Sequence, residues 1–119
     1  ADGGTRTASI NGGFLALAMA LKKRLPDLII DKKITPIAAI SVGKVNGQIV
    51  DDLDYEMDSN ADVDLNLVMN SSYEIIEIQG TGEKGTFSTS ELNQMIDLGK
   101  KCIEKIFDEQ QKILNNYDW

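Results

Sequence analysis

A chain of 119 residues that is 42% apolar and 26% charged has the size and make-up of one globular domain. The apolar content excludes a disordered chain, the absence of a strict glycine period excludes a fibrous one, and the longest apolar run, Phe14 to Leu21, is far too short to span a membrane. The net charge of −7 and pI near 4.5 oppose non-specific nucleic-acid binding, which rides on a basic surface, although a local site could draw its cations from elsewhere.

Residue types narrow the chemistry further. There is no histidine and one cysteine, Cys102, so cysteine- and histidine-based zinc sites and Ser-His-Asp or Cys-His catalysis are excluded unless another chain supplies the imidazole. Any reaction must run on carboxylates, Lys or Arg, hydroxyls, backbone amides or an oxygen-bound cation. The free thiol fits a reducing, cytoplasmic compartment. The chain opens on Ala1 inside a glycine-rich motif, with no secretory leader, and this is the expected look of a processed or truncated piece.

In chain order, Ala1–Thr7 reads as a Gly-rich loop. Ala8 to about Leu25 reads as a helix that is apolar nearly all round and therefore buried, with Lys22, Lys23 and Arg24 complementing the dipole at its end and Pro26 barring continuation. Pro36–Gly43 and Gln48–Leu53 are strands joined through Asn46-Gly47, a pair suited to a type I′ hairpin turn. Across Asp62–Met69 the apolar Val63, Leu65, Leu67 and Met69 alternate with polar residues, the pattern of a strand with one buried face. Ser71-Ser72 turns the chain into a further strand, Tyr73–Gln79. Ser88 and Glu91 form a capping box, and the helix that follows carries Leu92, Met95, Ile96, Cys102, Ile103, Ile106, Phe107, Ile113 and Leu114 on one stripe, which makes Cys102 a small core residue. The fold is α+β: a four-stranded, mainly antiparallel sheet with a long helix before and after it, in a single domain spanning 1–119.

Two segments could carry chemistry. Gly3-Gly4-Thr5-Arg6-Thr7 stands before a helix, where close backbone approach, free first-turn amides and a guanidinium suit an anion. The same residues also make a plain capped lead-in, and the spacing is not that of a Walker A loop. The second segment is the acidic run of Asp51, Asp52, Asp54, Glu56, Asp58, Asp62 and Asp64. Asp64 lies on the polar face of a strand, and Asp58 precedes it in a loop that can fold over that face. Two such carboxylates suit hydrated Mg²⁺ or Mn²⁺, or can share one proton as an acid–base pair; a solvated loop accounts for the whole region equally well, and no EF-hand spacing is present.

The phrases ADGGTRTASI at 1–10, ISVGKVNG at 40–47, DLDYEMDSNADVDLNLVM at 52–69 and IEIQGTGE at 76–83 resemble the ribonuclease PH family. They look less like polynucleotide phosphorylase or exosome ring subunits. The resemblance covers almost the whole chain. It implies a phosphate-dependent 3'→5' exoribonuclease that processes tRNA 3' ends, releases nucleoside diphosphates and also acts in rRNA processing. It carries phosphate binding onto Gly4, Thr5 and Arg6, and the two essential aspartates, with Mg²⁺ support, onto Asp58 and Asp64. It further implies a cytoplasmic homohexamer, a trimer of dimers. The fold implied is like domain 2 of ribosomal protein S5 and forms the C-terminal half of a protomer whose N-terminal half, with a further phosphate-contacting Arg, is absent here. Met57 stands where the family usually has Glu, and Gly13 where it usually has Ala. A non-catalytic, RNA-binding or scaffolding ring subunit is the alternative, and the joint presence of Arg6, Asp58 and Asp64 favours the enzyme.

Overall fold

The computed structural model describes residues 5–24, 35–51 and 61–115. Among these residues, two helices flank four strands: α1 (Thr5–Arg24), β1 (Ile37–Val45), β2 (Gln48–Asp51), β3 (Val63–Asn70), β4 (Ile75–Thr81) and α2 (Thr89–Asn115). The sheet order is β2-β1-β3-β4 and every pairing is antiparallel. This is the α+β arrangement that the alternating and helical patterns predict.

The local signals act where the sequence places them. Asn46 and Gly47 take φ values of 51° and 78°, both in the left-handed region a type I′ turn demands, and set Val45 opposite Gln48. The Ser88 hydroxyl accepts from the Glu91 amide at 3.0 Å while the Glu91 carboxylate accepts from the Ser88 amide at 3.0 Å, closing the reciprocal cap of α2. The same carboxylate pairs with Lys44 Nζ at 2.7 Å, tying the start of α2 to β1. The Lys44 contact, followed by the Ser88 amide, holds the Glu91 carboxyl below its ordinary value.

The main core lies between α2 and one face of the sheet. Val63, Leu65, Leu67 and Met69 of β3 and Ala38, Ile40 and Val42 of β1 meet Met95, Cys102 and Ile103 of α2. Alternation in the strands and i, i+3/i+4 spacing in the helix are the two periods that let these elements bury one side each. Cys102 takes its expected core position, and its thiol also donates to Asp51 Oδ2 at 3.0 Å. Gly99 is the point of closest layer contact: a Cβ there would stand 2.9 Å from Leu67 Cδ2.

Two expectations are corrected. Thr5, Arg6 and Thr7 are not loop but the first turn of α1, because an N-terminal turn tolerates threonines whose amides need no intrahelical acceptor. Nor is α1 buried all round. Thr7, Phe14 and Ala18 are buried on one stripe with Asn11 half-buried, whereas Leu17 is 55% exposed and Ala8, Ala16 and Ala20 face outward. Alanine makes a helix apolar on paper without giving it much surface to bury.

The inward stripe of α1 has a second task. β2 pairs only with Val42–Val45, leaving the earlier part of that edge of β1 without a strand. Asn11 fills in for one: its Nδ2 donates to Ala39 O at 2.9 Å and its Oδ1 accepts from Ala39 N at 2.7 Å. Gln110 of α2 donates to Ile37 O at 3.3 Å. Phe14 and Ala18 then pack with Leu114 and Ile37 in a smaller cluster. No helix among the described residues is long and apolar enough to cross a membrane.

Candidate active site

Strand register brings polar side chains together on the sheet face away from α2. Gly43, Asp64 and Thr81 stand side by side across β1, β3 and β4, and Ser41, Asn66 and Gln79 form the next row. Ser41 Oγ donates to Asn66 Oδ1 at 2.8 Å, so that row is cross-linked. Asp64 is half-buried, as the alternation predicts for a carboxylate on the polar side of a strand.

The direction of α1 adds its N-terminus to this end of the sheet. Asn11 is fixed to Ala39, and the later Phe14 and Ala18 pack at the Ile37 end. Travelling back from Asn11 to Thr5 covers about 9 Å of helix. Travelling from Ala39 to Gly43 covers about 13 Å of strand. The first turn of α1 thus lies toward the Gly43–Asp64–Thr81 end, and the positive end of its dipole with it. The backbones of Thr5 and Arg6 belong to that turn. Gly4 and Asp58 lie outside the described residues.

The loop after β4 closes against the same corner. Lys84 N donates to Asp62 O at 3.2 Å, and Asp62 N donates to Lys44 O at 2.8 Å. Gly82 makes the turn possible, since a Cβ there would collide with Gly85 O. Sequence reasoning missed Thr81. The motif at 76–83 marks the neighbourhood, but only the β3–β4 register shows that Thr81 faces Asp64.

Oxygen donors dominate this corner, the kind that Mg²⁺ takes through one or two carboxylates while keeping several waters. Asp64 is the carboxylate fixed by a strand; among the described residues no group of three or more His, Cys, Asp or Glu side chains could hold a metal ion. Asp64 is one oxygen donor of the kind a hydrated Mg²⁺ takes.

A family model described as "3' exoribonuclease family, domain 2" matches residues 35–102, from the start of β1 to the middle of α2. The chain belongs to this family. Curated relatives agree along its whole length. Ribonuclease PH of Exiguobacterium sibiricum is 50% identical over 125 residues, covering 100% of this chain and 48% of the relative. Ribonuclease PH of Bacillus subtilis is 48% identical over 121 residues, covering 98% and 49% respectively. That of Corynebacterium efficiens is 46% identical over 116 residues, covering 96% and 47%. The chain spans about half the length of these curated relatives. The matched span holds the strands that carry Asp64 and Thr81 and ends before the second half of α2; α1 precedes it and is covered by the relatives.

Proposed function

We propose that this chain supplies the catalytic half of a phosphate-dependent 3'→5' exoribonuclease that trims the 3' ends of tRNA and other RNAs. What supports the reading is a carboxylate, Asp64, fixed on the polar face of β3, together with the direction of α1, whose first turn lies toward the same end of the sheet. In this reading the Gly4 backbone, Thr5 and Arg6 hold inorganic phosphate, with the guanidinium gripping two of its oxygens. A phosphate oxygen attacks the terminal phosphodiester, the bond to the 3' oxygen breaks, and a nucleoside diphosphate leaves while the shortened RNA gains a proton on its 3' oxygen. Asp58 and Asp64 would hold Mg²⁺, or one of them would deliver that proton. The metal, when bound, supplies positive charge against the reacting phosphodiester. Arg6, the amides and the aspartates bring phosphate and RNA together in one geometry, and positioning with charge stabilisation carries most of the barrier lowering in phosphoryl transfer.

The names of the relatives support an RNA substrate. The reading extends to a cytoplasmic homohexamer in which the N-terminal half adds a further phosphate-contacting Arg. The test is to incubate the full-length protein with RNA and Mg²⁺, with and without phosphate. Nucleoside diphosphates released only with phosphate are expected, and Arg6→Ala should raise the phosphate concentration needed for half-maximal rate with RNA affinity unchanged. Release of nucleoside monophosphates without phosphate would overturn the reading.

A further inference from the structure

The row next to Asp64 on the sheet face away from α2 carries no charge. It consists of Ser41, Asn66 and Gln79, in register across β1, β3 and β4. Exposure rises along it: Ser41 is 5% exposed, Asn66 is half-buried and Gln79 is exposed, so the row opens outward at β4. Ser41 fixes the middle member. Its hydroxyl donates to Asn66 Oδ1 at 2.8 Å, and that bond decides which way round the carboxamide stands. With the oxygen held by Ser41, the Nδ2 group keeps its two N–H donors for something else. Among the described residues nothing accepts from them. Asn66 and Asp64 are two positions apart on one face of β3, about 7 Å along the strand, which is within the reach of one nucleotide.

We infer that Asn66, oriented by Ser41, is a ribose-binding residue: its amide donates to the 2'-hydroxyl of one of the two riboses flanking the phosphodiester that reacts at Asp64. The inference rests on the phosphorolytic reading for its substrate. The neutrality of the row selects the ligand. A phosphate oxygen is matched best by a cation, whereas a sugar hydroxyl both gives and takes a hydrogen bond and is served by uncharged amides. Gln79, directly across from Asn66, offers a carbonyl oxygen to which such a hydroxyl can donate. Because Ser41 holds the carboxamide before substrate arrives, little rotamer freedom is lost on binding. The 2'-hydroxyl is the group that separates RNA from DNA, so this row would make the site selective for ribose.

The test uses the full-length protein and matched oligonucleotides: all-ribose RNA, the same RNA with a 2'-deoxy 3'-terminal nucleotide, and the same RNA with a 2'-deoxy penultimate nucleotide. The kcat/KM for each is measured at saturating phosphate. In the unmodified protein one of the two deoxy substrates should be about threefold to tenfold poorer than all-ribose RNA, the loss of one neutral hydrogen bond. In Asn66→Ala that preference should vanish, with the KM for inorganic phosphate unchanged. Asn66→Asp keeps the shape and the acceptor for Ser41 but has no N–H, so its preference should vanish too, whatever the added charge does to the rate. Ser41→Ala releases the carboxamide and should leave an intermediate preference. No preference at either position in the unmodified protein, or one that survives in both Asn66 variants, would overturn the inference while leaving phosphorolysis standing. A lower melting temperature with the preference intact would overturn it as well, because Asn66 would then only brace the sheet. Failure of the unmodified protein to need phosphate strikes the functional reading instead, and direct binding of the same oligonucleotides still decides Asn66.

Discussion

The two faces of the sheet share strands but not chemistry. Toward α2, β3 presents Val63, Leu65 and Leu67, each with no exposed surface, and the helix closes over them. On the other face the same strand presents Asp64 and Asn66, half-buried and in register with Ser41, Gln79 and Thr81. One face resists change because it is full, and the other is fixed in space because the first is full. A carboxylate mounted on a strand whose back is packed cannot wander, which is what a catalytic constellation needs from its scaffold.

Substitutions on adjacent residues should therefore separate folding from chemistry. Leu67→Ala empties a filled site and should cost about 2–5 kcal/mol of stability, read from urea unfolding. Asp64→Asn keeps the shape and should leave the fold and RNA binding standing while lowering turnover of the full-length enzyme on the order of 10²–10³-fold, the size typical for losing one electrostatic group at a reacting centre. If Asp64→Asn turned over normally and Asp62→Asn did not, the reacting carboxylate would be Asp62, two residues back on the same side, and the assignment to Asp64 would fail.

A smaller effect tests how the edge is closed. Asn11→Ala leaves the amide and carbonyl of Ala39 without their side-chain partners and should cost about 1–3 kcal/mol. Hydrogen exchange at Ala39 should speed up more than exchange in β3, whose ladder is intact.

The smallest effect is a pH dependence at the helix start. Lys44 lowers the Glu91 carboxyl below its ordinary value of 4.5, so its contribution is complete above that value and fades as pH falls through the lowered one. The stability difference between the native chain and Glu91→Gln should be flat at neutral pH and shrink in acid below 4.5. A difference that grew on acidification would mean that the ion pair does not set this carboxyl.

Much of this could be read from residues alone, where the signal was local. Asn46-Gly47, the Ser88–Glu91 cap and the alternation at 62–69 each name a backbone state that few other sequences adopt, and each element formed there. The position of Asp64 on the polar face followed from the same alternation. What escaped depends on partners far along the chain. Asn11 and Gln110 look like ordinary polar helix residues until Ala39 and Ile37 lie beside them. Thr81 joins the Asp64 row through a strand register that no local pattern encodes. The start of α1 was missed because glycine and threonine suit a loop and a helix N-terminus equally.

Gly99 sets how far apart the layers stand, and so it governs more than packing. Leu67 Cδ2 stands 2.9 Å from where its missing Cβ would be, with Ile40 and Val42 at contact distance around it. A larger residue there would act as a wedge under the middle of the sheet, and Leu67 lies on β3 one residue from Asn66 and three from Asp64. Part of that push would fall on the Leu67 side chain and the rest on β3, which carries the polar row on its other face. A position with no functional group of its own is thus a lever on the spacing of the site, and the smallest side chain in the molecule works as its adjusting shim.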